Sequence, residues 1–185
     1  MKILEEVNVT SNKRLLIVLN LFSILLFLCF LYFFTRIADV IKSFRSGSID
    51  FNFASLLLTT GLIIFLLVVH EGIHGIFFKF FQPEGKIKFG VNPKNMVVYC
   101  ISPNSCYSRM QMIWISMAPF IFITSGLTLL YYLEILSPFL YIMLAALHAG
   151  GCVGDFYYCY LLGIKYLKLP IMAEDTEAGL IIYHK

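Results

Sequence analysis

Residues 56–81 read LLLTTGLIIFLLVVHEGIHGIFFKFF, an apolar run that carries an acid and two imidazoles in its second half. Twenty or so apolar residues suffice to cross a hydrocarbon core of roughly 30 Å as a helix. Charged groups in such a helix are costly and by default mark function. His70-Glu71-Gly72-Ile73-His74 is the H-E-x-x-H pattern. At 3.6 residues per turn, positions four apart lie within about 40° of one another. Both imidazoles therefore face one point and can share one Zn²⁺, with Glu71 positioned to take a proton from metal-bound water. In hydrocarbon, two imidazoles and a carboxylate without a shared partner would be expensive.

Three further apolar runs flank this one. Residues 15–34 carry no charge and are bracketed by Lys13-Arg14 and Arg36. The run is too long for the apolar part of a signal peptide, and no small-x-small cleavage site follows it. Residues 110–133 contain Pro119 and Gly126, and residues 139–163 follow after a turn so short that the two spans pair antiparallel. The expected fold is therefore an all-α integral membrane domain, residues 1–185, built as a four-helix bundle. Between helices two and three, residues 86–101 read as strand, turn and strand, a small cytoplasmic β-hairpin. Residues 164–185 are too polar to span and form a cytoplasmic tail, with one short extended segment at Leu180 to Tyr183.

Composition agrees with this class. The 185 residues are 59% hydrophobic and only 14% charged, whereas soluble domains are nearer half apolar and a quarter charged. A net charge of +3 without a basic run excludes a nucleic-acid partner. Five cysteines without a C-x-x-C pair, three of them in apolar runs, exclude a disulfide framework. With four spans, the N-terminus, the hairpin loop and the tail share one side, which holds eleven of the fourteen Lys and Arg residues; Arg36, Lys42 and Arg45 lie on the other. The positive-inside bias puts both termini in the cytoplasm, in a plasma membrane.

Catalytic zinc usually has three protein ligands and one open position. In the fourth run, His148, Cys152, Asp155 and Cys159 fall at i, i+4, i+7 and i+11, one helical stripe. Gly150, Gly151 and Gly154 in the same stretch would let another helix approach closely. Asp155 is the preferred third ligand: a carboxylate keeps the metal a strong Lewis acid, which a thiolate would blunt. Under this topology His74 and Asp155 both lie roughly 10–12 Å from the cytoplasmic ends of their helices. His148, about 10 Å further out, is better placed to hydrogen-bond a substrate carbonyl or developing oxyanion.

His70 to Gly75 (H-E-G-I-H-G) on an apolar helix, with a late Gly154-Asp155 on another, resembles the site-2-protease type of intramembrane zinc metalloprotease. It is similar, more closely, to the zincin peptidase family of small bacterial membrane proteins. That resemblance runs from about residue 56 to the C-terminus and includes Tyr99 to Pro103, Met117 to Phe120, and the tail from Leu169 to Gly179 with its acidic-Thr-x-x-Gly stretch. It implies His70, His74 and Asp155 as zinc ligands and Glu71 as the catalytic base. Where the family pattern often has Asn, seven residues before the Asp, this chain has His148.

The function expected is a zinc endopeptidase that cleaves a membrane protein or peptide within or near the bilayer, alone, as a homo-oligomer or with a partner protein. The hairpin would either hold an unwound substrate by strand addition or only cover the cytoplasmic mouth. The competing class is a non-hydrolytic protein, either a metal-binding accessory subunit or a transporter with a His/Asp ion path. Glu71 argues against it, because a closed structural site needs no carboxylate beside its first His.

Overall fold

The structure, a computed structural model, describes residues 2–9, 11–42, 53–92 and 97–185. In chain order its elements are β1 (Lys2–Asn8), α1 (Lys13–Lys42), α2 (Phe53–Phe81), β2 (Lys88–Asn92), β3 (Val97–Ile101), β4 (Tyr107–Ser108), α3 (Arg109–Tyr132), α4 (Pro138–Gly151), α5 (Val153–Tyr160), a π-helical turn at Leu161–Lys165, β5 (Ile171–Thr176) and β6 (Gly179–His184). Among the described residues three helices, α1, α2 and α3, are long and apolar enough to cross a membrane. The fourth apolar run is not one helix. It breaks after Gly151, where Cys152 leaves helical geometry at φ −71°, ψ 12°, and resumes at Val153. Taken together, the two pieces pass as a fourth candidate span. Pro119 lies inside α3 without ending it.

The expectation of an all-α bundle with one hairpin is wrong. Among the described residues six strands form two antiparallel sheets: the β2–β3 hairpin, whose turn at 93–96 lies outside the described residues, and a four-stranded sheet in the order β1-β6-β5-β4. The larger sheet escapes a reading of periodicity because its strands are short and their partners distant. Lys2 pairs with His184 and Asn8 with Gly179, from opposite ends of the chain, while β4 contributes only Tyr107 and Ser108. Helical hydrogen bonds close within four residues, but a strand gains its bonds only from another strand. The β5–β6 connection needs glycine at 179. Its φ is +141°, and a Cβ there would lie 2.1 Å from the Val7 carbonyl oxygen of the neighbouring strand.

The chain divides into two compact units. The first comprises residues 1–19, 69–119 and 154–185 and contains both sheets. Its core is a cluster that includes Phe78, Tyr107, Met112, Ile115, Leu162 and Ile182, all nearly inaccessible. The four-stranded sheet thus packs its apolar face on the C-terminal half of α2, the start of α3 and the π-helical turn. Arg109 locks that turn by donating to the Tyr166 carbonyl at 2.7 Å and to that of Leu169. The second unit comprises residues 20–68 and 120–153. There the Tyr131 and Tyr141 rings stack at 4.6 Å, and Phe34 meets Tyr141 edge-on at 5.8 Å. Of the three glycines expected to permit close packing, Gly150 does so: a Cβ would meet the Phe27 Cβ and the Ser23 carbonyl at 3.1 Å. Gly151 and Gly154 have open space instead.

Candidate metal centre

Within the first unit, the last three turns of α2 and the first turn of α5 bring three side chains to one point. The helical i, i+4 spacing puts the Nε2 atoms of His70 and His74 3.1 Å apart. Asp155 reaches both, with Oδ2 3.4 Å from His70 Nε2 and Oδ1 3.4 Å from His74 Nε2. Ligands around a tetrahedral zinc, with bonds of about 2.0–2.1 Å, lie about 3.3 Å from one another. The triangle of 3.1, 3.4 and 3.4 Å is therefore the size that a zinc ion spans, and two imidazoles with one carboxylate are donors suited to it. All three side chains are 11–14% exposed, which restricts water without sealing the site.

The ring of His74 is fixed from behind. Its Nδ1 lies 2.9 Å from the carbonyl oxygen of Ile115 on α3, so Nδ1–H donates there and the Nε2 lone pair faces the triangle. That tautomer is the one a metal requires. Pro119 in the same helix stands four residues on, so the Ile115 carbonyl has no N–H of residue 119 to receive, and His74 takes its place.

Glu71 lies outside the triangle but within electrostatic reach of all three of its members. Its carboxylate accepts a hydrogen bond from the backbone N–H of Cys100 on β3. The β2–β3 hairpin can come this close because position 75 is glycine: a Cβ there would meet the Phe89 ring at 3.0 Å and Cys100 Sγ at 3.3 Å. Burial, and then the Glu71 charge, push the Cys100 thiol up to about 12, so this sulfur stays protonated beside the site.

His148, expected as a substrate contact, lies on α4 in the second unit and is buried. Cys152 is its near neighbour, with Sγ 3.8 Å from Nε2 and the thiol donating to the His148 carbonyl at 3.3 Å. The single stripe from His148 to Cys159 is interrupted at Cys152, so residues on either side of it no longer follow one helical phase.

One ionisable residue near the site is not among those expected. Asp175 on β5 interacts electrostatically with His74, Asp155 and Glu71. Burial first, then the two carboxylates, push its acid up to about 8 against the opposing pull of His74. The signal was present in the tail, where I-M-A-E-D-T alternates and places an acid in the same row as Ile171 and Ala173.

No curated protein and no solved structure matches this chain. A family model does, over residues 63–165, a stretch that holds His70, Glu71, His74, His148 and Asp155 and exceeds half of the chain. The family is described as "Putative zincin peptidase", zincins being zinc-dependent metallopeptidases, and the chain belongs to it.

Proposed function

We propose that this chain is an intramembrane zinc metalloendopeptidase of the site-2-protease kind, acting on a membrane-associated protein or peptide. The observation that carries the reading is the triangle of His70, His74 and Asp155, with its zinc-sized edges, formed between the candidate span α2 and the second piece of the broken fourth run. These three residues hold the metal, and the Ile115 carbonyl orients His74. A bound zinc supplies Lewis acidity and brings the pKa of a water to near neutrality. Glu71 accepts the proton of the attacking water at its carboxylate and returns it to the leaving amide nitrogen. The amide of Cys100 steadies that carboxylate beside the ligands. His148 keeps the role expected from sequence, a hydrogen bond to the substrate carbonyl or the developing oxyanion. The β2–β3 hairpin, adjacent to Glu71, supports capture of an unwound substrate strand through backbone hydrogen bonds.

The test is metal analysis and cleavage on the purified chain. One zinc per chain is expected in wild type, with hydrolysis of single-span membrane peptides. The His70→Ala/His74→Ala double variant should lose both. Full zinc occupancy in that variant would put the metal elsewhere and end this reading.

The basic residues favour both termini in the cytoplasm of a plasma membrane, and this too is tested directly. In a chain whose five cysteines are replaced by serine, a cysteine at Glu134 should react with an impermeant maleimide added outside intact cells. One at Glu84, beside the hairpin, should react only after lysis. The opposite pattern would invert the topology.

A further inference from the structure

A groove of about 470 Å³ opens on the first unit where α3 begins and the fourth apolar run ends. Its walls are of two kinds. Met110, Ile113, Leu167 and Leu169 are apolar, and Met110, Leu167 and Leu169 stay 59%, 57% and 39% exposed. Arg109 and Lys185 supply positive charge. Lys185 is held beside the groove by its backbone N–H, which donates to the Pro170 carbonyl at 2.9 Å. Arg109 is fixed by the Tyr166 and Leu169 carbonyls to which it donates. Carbonyls orient a guanidinium but do not neutralise it. Among the described residues neither Arg109 nor Lys185 pairs with an Asp or Glu. The Nε of Arg109 is moreover buried without an acceptor. A half-buried cation with no counter-charge is costly unless an anion reaches it from outside the chain.

The place of the groove says which anion. Arg109 is the first residue of the candidate span α3, and residues 167–169 follow the π-helical turn that closes the fourth run. In a bilayer these cations stand at headgroup level. Ile113, one turn on along the same face of α3, lies about 6 Å deeper. Trp114, the one tryptophan of the chain, is 51% exposed beside it, a residue type that favours the membrane interface. Cations outside and an apolar wall inside match a lipid with a negative headgroup. A free phosphate would leave the apolar wall unused, and a zwitterionic lipid would bring a cation of its own to the cations. We propose that this groove binds an anionic glycerophospholipid of the surrounding membrane: Arg109 and Lys185 hold the phosphodiester, and one acyl chain lies along Met110, Ile113 and Leu167. This rests on the reading of α3 and the fourth run as spans and is independent of the metal. Through Arg109 the lipid bridges the start of α3 and the Tyr166–Leu169 turn.

The experiment is a titration of the purified full chain in detergent with dioleoyl phosphatidylglycerol or dioleoyl phosphatidylcholine, read by native mass spectrometry as the Kd of the first bound lipid. A basic residue beside an anionic headgroup contributes about fivefold in affinity, so two give wild type a preference of about 25-fold for phosphatidylglycerol. Because Arg109 also holds the turn, the exposed Lys185 carries the test. Lys185→Gln should cost about fivefold in affinity for phosphatidylglycerol, whereas Lys168→Gln, which removes an exposed cation outside the groove, should stay within about twofold of wild type. A large excess of inorganic phosphate at constant ionic strength should leave the bound lipid in place. Equal affinity for the two lipids, equal losses in Lys185→Gln and Lys168→Gln, or displacement of the lipid by phosphate each overturn the proposal. Release of the chain from membranes by alkaline carbonate without detergent is a different result: it ends the reading of spans, and the proposal with it.

Discussion

Glu71→Gln should abolish peptide hydrolysis while leaving zinc in place. General-base catalysis contributes about 10²–10⁴-fold, so a loss near a thousandfold, about 4 kcal/mol of barrier, is expected in kcat. Glutamine has the shape of glutamate and its amide oxygen still accepts from the Cys100 N–H, so the local packing against β3 is kept. What it lacks is a site that can take up a proton near neutral pH. Zinc should stay, because Glu71 lies outside the His70–His74–Asp155 triangle. Parallel measurement of kcat on a single-span peptide and of zinc per chain separates the functional classes. A metal-binding accessory protein would give no product even in wild type. An ion path would not depend on a proton acceptor at residue 71. Loss of zinc from Glu71→Gln would make Glu71 a ligand, and retention of most activity would remove it as the base.

The residues of the candidate metal centre were more legible in the sequence than the fold, and the reason is physical. His70 and His74 are brought together by helical rise and twist alone, over five residues of sequence. Asp155 could be matched to them on the expectation that two apolar helices of known rise share a bilayer, where a residue's distance from its helix end locates it in depth. No such ruler exists for the strands. Val7 is buried at 5% exposure only because β6 lies beside β1, and nothing local in K-I-L-E-E-V-N names Leu180 as the residue it will pair with. Asp175 was legible only in part: the alternation of I-M-A-E-D-T marks a strand, but not the sheet that turns one of its faces to the core. The break at Cys152 is a different case. The stretch G-G-C-V-G weakens the helix on both sides, yet glycine is tolerated in apolar helices, and an intact stripe and a broken one are equally compatible with these letters.

Asp155→Ala should empty the zinc site, whereas His148→Ala should keep the metal and lose rate. The one acid and the one imidazole of the fourth apolar run, Asp155 and His148, compete for one role on sequence grounds, and the distances support Asp155. Each of its oxygens stands 3.4 Å from a different imidazole nitrogen, so the carboxylate closes the triangle from the side that α2 cannot reach. Alanine would leave two imidazoles 3.1 Å apart and a cavity for water, and a two-ligand site holds zinc far less tightly than a three-ligand one. A loss of at least about a hundredfold in affinity is expected, beyond the usual 10–100-fold cost of disturbing a group that only supports ligands. His148 stands in another helix and another unit, with Cys152 as its near neighbour. If it hydrogen-bonds the substrate carbonyl, its loss should cost about 10²–10³-fold in kcat, as for other donors to a developing oxyanion. Cys152→Ser conserves size and should change zinc affinity and rate little. Chelator competition and steady-state kinetics on the same preparations give both readouts. If His148→Ala empties the site while Asp155→Ala stays filled, the two roles are exchanged, and the 3.4 Å contacts of Asp155 are then a hydrogen-bonded support for the imidazoles rather than a share of the metal.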